Sequence, residues 1–172
     1  MFAAADRNKD VILDVLRGAL PSSGAVLEIA SGGGQHLFHF SAALLDLDWW
    51  PSDFDPYLVA ALERRVTAVE RKNLHLPMHL NMIDAGWSRK VARKFDAVIS
   101  SNMIHIAPCD ACVGLIRGAE RLLGPGDLVY FYGPFIVGGK FSSDGNESFD
   151  RSLRAENPDW GLRNLEEVCE VA

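Results

Sequence analysis

Cysteine is scarce in this sequence. The 172 residues contain 3, an odd number that builds no disulfide framework and points to a reducing, intracellular setting, the cytoplasm by default. Long apolar runs are missing too. No stretch approaches the ~20 apolar residues of a membrane span, and Asp6, Arg7, Asn8, Lys9 and Asp10 stand where a secretory signal would need apolar residues. No membrane partner is expected. Positive charge is also short, with 17 Lys and Arg against 23 Asp and Glu and a net charge of -6. Gripping a phosphate backbone takes a clustered basic face, so direct nucleic-acid binding is not expected. The longest basic cluster, Arg89-Lys90-Val91-Ala92-Arg93-Lys94, reads as a solvated face. There is no internal repeat and no low-complexity segment. What remains, at 48% hydrophobic and 23% charged, is an ordinary globular composition, long enough for a single domain over residues 1–172.

Helical and strand patterns alternate along the chain. Val11-Ile12, Val15-Leu16 and Leu20 predict an opening helix within residues 1–20. A cofactor-binding core over 21–135 follows. Its strands are expected at Ala25–Ala30, near Leu47–Trp50 and ending at Pro51, weakly at Leu74–Leu80, at Phe95–Ser100 and at Leu128–Tyr132. Helices are expected over Gln35–Leu45, from Pro56 through Val69 and from Pro108 through Leu123. The strength of the fifth run suggests a strand covered on both faces. Residues 136–172 read as a Gly-rich loop and two helices. Together these predict an α/β, Rossmann-like fold, a mostly parallel sheet with helices on both faces. Ligands in such folds bind beyond the carboxyl ends of the strands.

The turn Glu28-Ile29-Ala30-Ser31-Gly32-Gly33-Gly34 sits at the first such end. Glycine lets a ligand approach the backbone, and the following helix start presents free N–H groups. A dinucleotide fingerprint would need a third glycine, but Leu37 and Gln35 occupy that place in the two possible registers. Glu28 would repel a pyrophosphate, whereas its charge suits the ammonium and sulfonium of a methionine-type cofactor. Asp53, 25 residues on, can accept from a ribose diol. Asp84 could accept from an adenine amino group. A helix cap is the plainer alternative for both aspartates.

These residues resemble the class I S-adenosylmethionine-dependent methyltransferases. The motif D/E-x-G-x-G-x-G is matched by Glu28, Gly32 and Gly34, with Ala30 in place of its first glycine. Phe95–Ser100 and Leu122-Leu123-Gly124-Pro125-Gly126 look like the fourth-strand motif and the turn before strand five. A closer resemblance, to the methyltransferase-like protein 26 family, rests on several stretches. They are Arg7-Asn8, Leu27–His36, Pro51-Ser52-Asp53, Asn102–Pro108, Tyr132-Gly133-Pro134-Phe135 and Asn157–Gly161. The resemblance implies S-adenosylmethionine as cofactor and S-adenosylhomocysteine as product. Glu28, Ala30, Ser31, Gly32, Gly34, Asp53, Asp84, Asn102 and Arg7 would bind the cofactor. In that superfamily a sixth and seventh strand follow the last helix, and here the chain stops at Ala172. The resemblance therefore implies a sheet lacking those strands, as in a truncated isoform. The apolar fifth-strand edge (Leu128, Val129, Phe131) would then be open to a partner or a second copy.

Methyl transfer is an in-line displacement that rests on positioning and desolvation. If the acceptor starts protonated, His105 is the candidate base. Asn102 could orient cofactor or acceptor, Tyr132 and Phe135 could line an acceptor pocket, and Arg7 could meet the cofactor carboxylate. Each has a structural alternative: a buried histidine, a strand-end cap, core packing, a surface arginine. Cys109-Asp110-Ala111-Cys112 lacks further ligands for zinc. His36, His39, His75 and His79 read as structural, and no metal is expected. Trp87 packs near adenine or closes the core. The expected activity is methyl transfer to an unidentified small-molecule or protein acceptor. A non-catalytic binding module acting through partners is the alternative, and a nicotinamide-dependent oxidoreductase comes third.

Overall fold

The computed structural model describes residues 2–172, with side chains from residue 5 onward. The opening helix is α1 (Phe2–Ala19); residue 1 of the range expected for it lies outside the described residues. Then come β1 (Gly24–Ile29), α2 (Gln35–Ala43), β2 (Leu47–Asp53), α3 (Pro56–Val69), β3 (Met78–His79), β4 (Ala97–Ser101), α4 (Cys109–Leu122) and β5 (Leu128–Tyr132). The five strands pair in parallel in the order β3-β2-β1-β4-β5. Strand order reverses between β1 and β4, which opens a crevice over their carboxyl ends.

Side-chain alternation along β1 divides the interior in two. Ala25, Leu27 and Ile29 join Val98 and the α4 residues Leu115, Ile116 and Ala119 on one face. Val26 joins Leu37 and Phe40 of α2, Leu62 and Val66 of α3, and Ile12, Leu13 and Leu16 of α1 on the other. The helices thus cover both faces, each fully buried Leu or Ile contributing roughly 1.5–3 kcal/mol. Trp87 closes the α4 side. Its Nε1 donates to the Gly114 carbonyl at 2.8 Å, and a Cβ at Gly118 would stand 2.1 Å from the indole.

Four expectations need correction. Strand two does not end at Pro51 but runs through it to Asp53. Its Trp49 bonds the third-strand segment on one side, donating to the Asn73 carbonyl and accepting from His75 N–H. Pro51 falls on that same side, where pairing lapses between the Leu74 bridge and Met78, so its missing N–H costs no ladder bond. Strand three shrinks to Met78–His79 for the same reason.

The fifth strand touches both cores, but all five of its residues remain half-buried, because it pairs only with β4 among the described residues. Beyond it, residues expected as loop and helices hold a second sheet. β6 (Phe135–Val137), β7 (Lys140–Phe141) and β8 (Arg163–Asn164) lie in the order β7-β6-β8, with α5 (Asp144–Glu156) and α6 (Leu165–Val171) beside them. Strands this short carry no periodicity. The readable signal was Gly138-Gly139, whose φ values of 57° and 71° close the β6–β7 hairpin. No helix among the described residues is long and apolar enough to cross a membrane.

Candidate active site

The chain leaves β1 and reverses through three left-handed residues, Ala30 (φ 58°), Gly32 (φ 54°) and Gly34 (φ 79°). Gly34 precedes α2 with a left-handed backbone that favours glycine, and a Cβ there would lie 2.6 Å from Leu62 Cδ1 and 2.8 Å from Phe38, forcing those side chains to shift. At Gly32 a Cβ would meet nothing within 4 Å, so the apex of the turn is open. Ala30 holds a left-handed conformation with a Cβ present, at a cost of about 1–2 kcal/mol. The turn is fastened to β2. Ser31 N–H donates to the Ser52 carbonyl at 2.8 Å, and the Ser52 hydroxyl donates to the Glu28 carbonyl at 2.9 Å. Arg65 of α3 donates to the Gly33 carbonyl.

Two buried carboxyl groups lie against this turn. Glu28 is 4% exposed, and its Oε2 has no hydrogen-bond partner. Burial pushes its pKa up to about 7; the Ser31 hydroxyl lowers it and the Asp53 carboxylate raises it. Asp53 is the last residue of β2 rather than one beyond it. Its Oδ2 accepts from Gly32 N–H at 2.9 Å and its Oδ1 from Asp55 N–H at 3.0 Å. The cap of α3 is Asp55, which accepts from Tyr57 N–H at 2.8 Å, so Asp53 is free of that task. The register that sets Glu28 beside Pro51 brings the two acids to neighbouring strand ends. Asp84 stands apart on the surface, its carboxylate 2.6 Å from Lys90 Nζ. The hydrogen bond from Lys90, then its charge, holds that carboxyl below the usual range.

A second group gathers at the ends of β4 and β5. Asn102, left-handed at φ 62°, donates its N–H to the Tyr132 carbonyl at 2.7 Å. His105 lies in the 3-10 turn Met103–His105, 1% exposed, with neither ring nitrogen hydrogen-bonded. The Phe135 ring meets it edge-on at 5.5 Å, and a Cβ at Gly133 would stand 2.2 Å from its Nε2. Burial first, and then the nearby Arg163 charge, lower the imidazole to about 4, so it is neutral at physiological pH. Asn102, His105, Tyr132 and Phe135 thus gather at the ends of β4 and β5.

Arg163 escaped the sequence reading. It donates to the carbonyls of Ile104 (2.9 Å), Ala107 and Asp159 (2.9 Å), and Gly161 N–H donates to the His105 carbonyl at 2.9 Å. The His105 turn is thus clamped by the second sheet. Buried Asp150 anchors the clamp, accepting from Leu162 N–H and Arg154 Nε, both at 2.8 Å. The only sequence signal was position, two residues after the Asn157–Gly161 stretch.

Arg7 is exposed on α1. The helix is fastened to α2 by its neighbours: Asn8 Oδ1 lies 2.8 Å from His36 Nε2, and Asp10 Oδ1 lies 2.9 Å from His39 Nε2. His75 stacks on Trp50 at 3.8 Å, and His79 contacts the Phe54 carbonyl at 2.8 Å. Cys109 is exposed and Cys112 buried, and burial pushes the Cys112 thiol up to about 11, a poor nucleophile.

The model of a family described as "Protein of unknown function (DUF938)" matches residues 1–172. Solved structures of similar fold include an O-methyltransferase family protein from Burkholderia thailandensis, at 16% identity and TM-score 0.73, covering 98% of this chain and 52% of that one. CalO1, a methyltransferase in calicheamicin biosynthesis in its SAH-bound form, matches at 13% identity and TM-score 0.73, covering 98% and 46%. The glycopeptide N-methyltransferase MtfA, complexed with S-adenosyl-L-homocysteine, matches at 20% identity and TM-score 0.64, covering 81% and 55%. The chain spans about half the length of these proteins. What it shares with them is the Rossmann-like methyltransferase fold.

Proposed function

This chain belongs to the family described as "Protein of unknown function (DUF938)", and from the site above we propose that it is an S-adenosylmethionine-dependent methyltransferase. The observation that carries the reading is Glu28, a buried carboxyl with a raised pKa and an unpartnered oxygen beneath an open glycine turn. Isolated buried acids are costly and mark sites where a cationic group belongs. A pyrophosphate fits poorly there, which disfavours a nicotinamide dinucleotide. The sequence resemblance to the methyltransferase-like protein 26 family supports the same reading, as do the relatives crystallised with S-adenosylhomocysteine.

S-adenosylmethionine, when bound, supplies a methyl group activated on a sulfonium. Glu28 complements the positive charge of its methionine end, Asp53 accepts from the ribose hydroxyls, and Asp84 would have to exchange its surface ion pair with Lys90 for the adenine amino group. The backbone of Ala30, Ser31, Gly32 and Gly34 leaves room for the ligand, and Arg7 is assigned to its carboxylate. On the acceptor side Tyr132 and Phe135 supply walls and Asn102 orients. His105, neutral and weakly basic in the free protein, takes a proton in concert with transfer if the acceptor carries one. The acceptor is a small molecule or a protein side chain.

Calorimetric titration of the full chain with S-adenosylmethionine and S-adenosylhomocysteine tests the proposal. Binding of one equivalent is expected, weakened about tenfold or more in Asp53→Asn, a loss of ~1.4 kcal/mol. A folded protein that takes up neither compound would refute it.

A further inference from the structure

A cleft of about 320 Å³ opens far from the turn, between the 3-10 turn Trp87–Lys90, the approach to β4 and the end of α4. This is the amino-end side of the sheet, opposite Glu28 and Asp53. Arg89, Arg93, Lys94 and Arg121 line it together with Ser88, and no carboxylate does. On a chain with a net charge of -6, four cations without an acid among them run against the general balance.

The usual reason for basic residues at such a place is the carbonyl end of a helix. Here that need is already met. Lys94 Nζ donates to the Arg121 carbonyl at 2.6 Å, Phe95 N–H to the Leu122 carbonyl at 3.0 Å, and Leu123 N–H to the Ala119 carbonyl at 2.9 Å. Arg89 and Arg121 remain in surplus, and Arg93 spends only its Nε, donating to the Lys94 carbonyl at 3.2 Å. Arg93 is also held in place: it lies over the Trp50 ring at 4.6 Å and near the Phe95 ring at 5.3 Å. An arginine fixed on an aromatic face loses little freedom when its fork engages an oxyanion. Lys90, the remaining cation of the sequence cluster, is occupied by Asp84.

We propose that this cleft is a binding site for a small anion bearing two or more phosphate groups, separate from the methyl-transfer site. Three guanidinium groups lining one cleft suit the charge of clustered phosphates, whereas a single carboxylate would leave most of that charge unmatched. The acidic remainder of the surface disfavours an extended polyanion such as a nucleic-acid strand. A volume near 320 Å³ lies at the lower end of small-ligand sites.

The test is isothermal titration of tripolyphosphate into the full chain at low ionic strength. Saturable binding of one equivalent is expected, weakened tenfold or more in the double variant Arg89→Gln/Arg121→Gln. Both residues are exposed, and thermal melting verifies that the variant folds. Arg93→Lys keeps the charge but removes the planar fork, and it too should bind more weakly. Absence of saturable binding overturns the proposal, as does unchanged affinity in the double variant. Tighter, Arg-dependent binding of a single-stranded oligonucleotide would also overturn it, in favour of a nucleic-acid surface.

Discussion

Replacing Glu28 by glutamine keeps the side chain's shape and removes its ability to ionise. In the folded protein this carboxyl has a pKa of about 7 against an ordinary 4.5, chiefly because it is buried. An acid whose folded pKa is raised binds its proton more tightly folded than unfolded. Stability is therefore unaffected by this group below pH 4.5, falls as pH rises from 4.5 to about 7, and stays reduced above. At about 1.4 kcal/mol per pH unit the full penalty is about 3 kcal/mol. Glu28→Gln should thus be more stable than the parent by about 3 kcal/mol at pH 8, and the gap should close towards pH 4.5. Urea unfolding of both proteins across that range measures it, since other groups titrate alike in both and largely cancel in the difference. The cofactor side reverses the sign. A cationic ligand binds the ionised form, so affinity for S-adenosylmethionine should rise through pH 7 in the parent and lie flat and weaker in the variant. A gap that is absent at pH 8, or that persists unchanged at pH 4.5, would refute the assignment of a strained, functional acid.

Other substitutions probe the rest of the site. Ala30→Gly relieves the left-handed alanine but loosens the unfolded chain, and a net gain of roughly 0.5–1 kcal/mol in urea unfolding is expected; a loss would show that the methyl group packs usefully. His105 has a folded pKa depressed to about 4, so its contribution is whole above pH 6.5 and is lost as pH falls through 4. His105→Gln should flatten that acid limb of the stability profile and leave S-adenosylhomocysteine binding unchanged. Arg163→Met removes the clamp on Ile104 and Ala107 and should cost about 2–3 kcal/mol in denaturant unfolding. The same change removes the positive charge beside His105, so the imidazole should titrate at higher pH by NMR; an unmoved His105 resonance would contradict the geometry.

The parts of this protein legible in the sequence are those decided by near neighbours in the chain. Apolar runs and helical spacing located β1, β2, β4, β5 and α1 to α4, but only the neighbourhood of β3, because burial of one face depends on local periodicity. The turn after β1 was readable because its left-handed backbone at Gly32 and Gly34 favours glycine, and the acids Glu28 and Asp53 followed from their places at strand ends. Tertiary structure decided what depends on distant partners. Pro51 is tolerated within β2 because β3 lapses beside it. The three short strands after β5 exist only through pairings such as Phe135 with Arg163. Desolvation raised the Glu28 pKa and lowered that of His105, and desolvation is a property of the packed surroundings. The Arg89–Lys94 run looked like a plain solvated face. Arg121, the aromatic support of Arg93 and the satisfied end of α4 turn it into a cleft with unspent charge, and all three come from elements brought together only by folding.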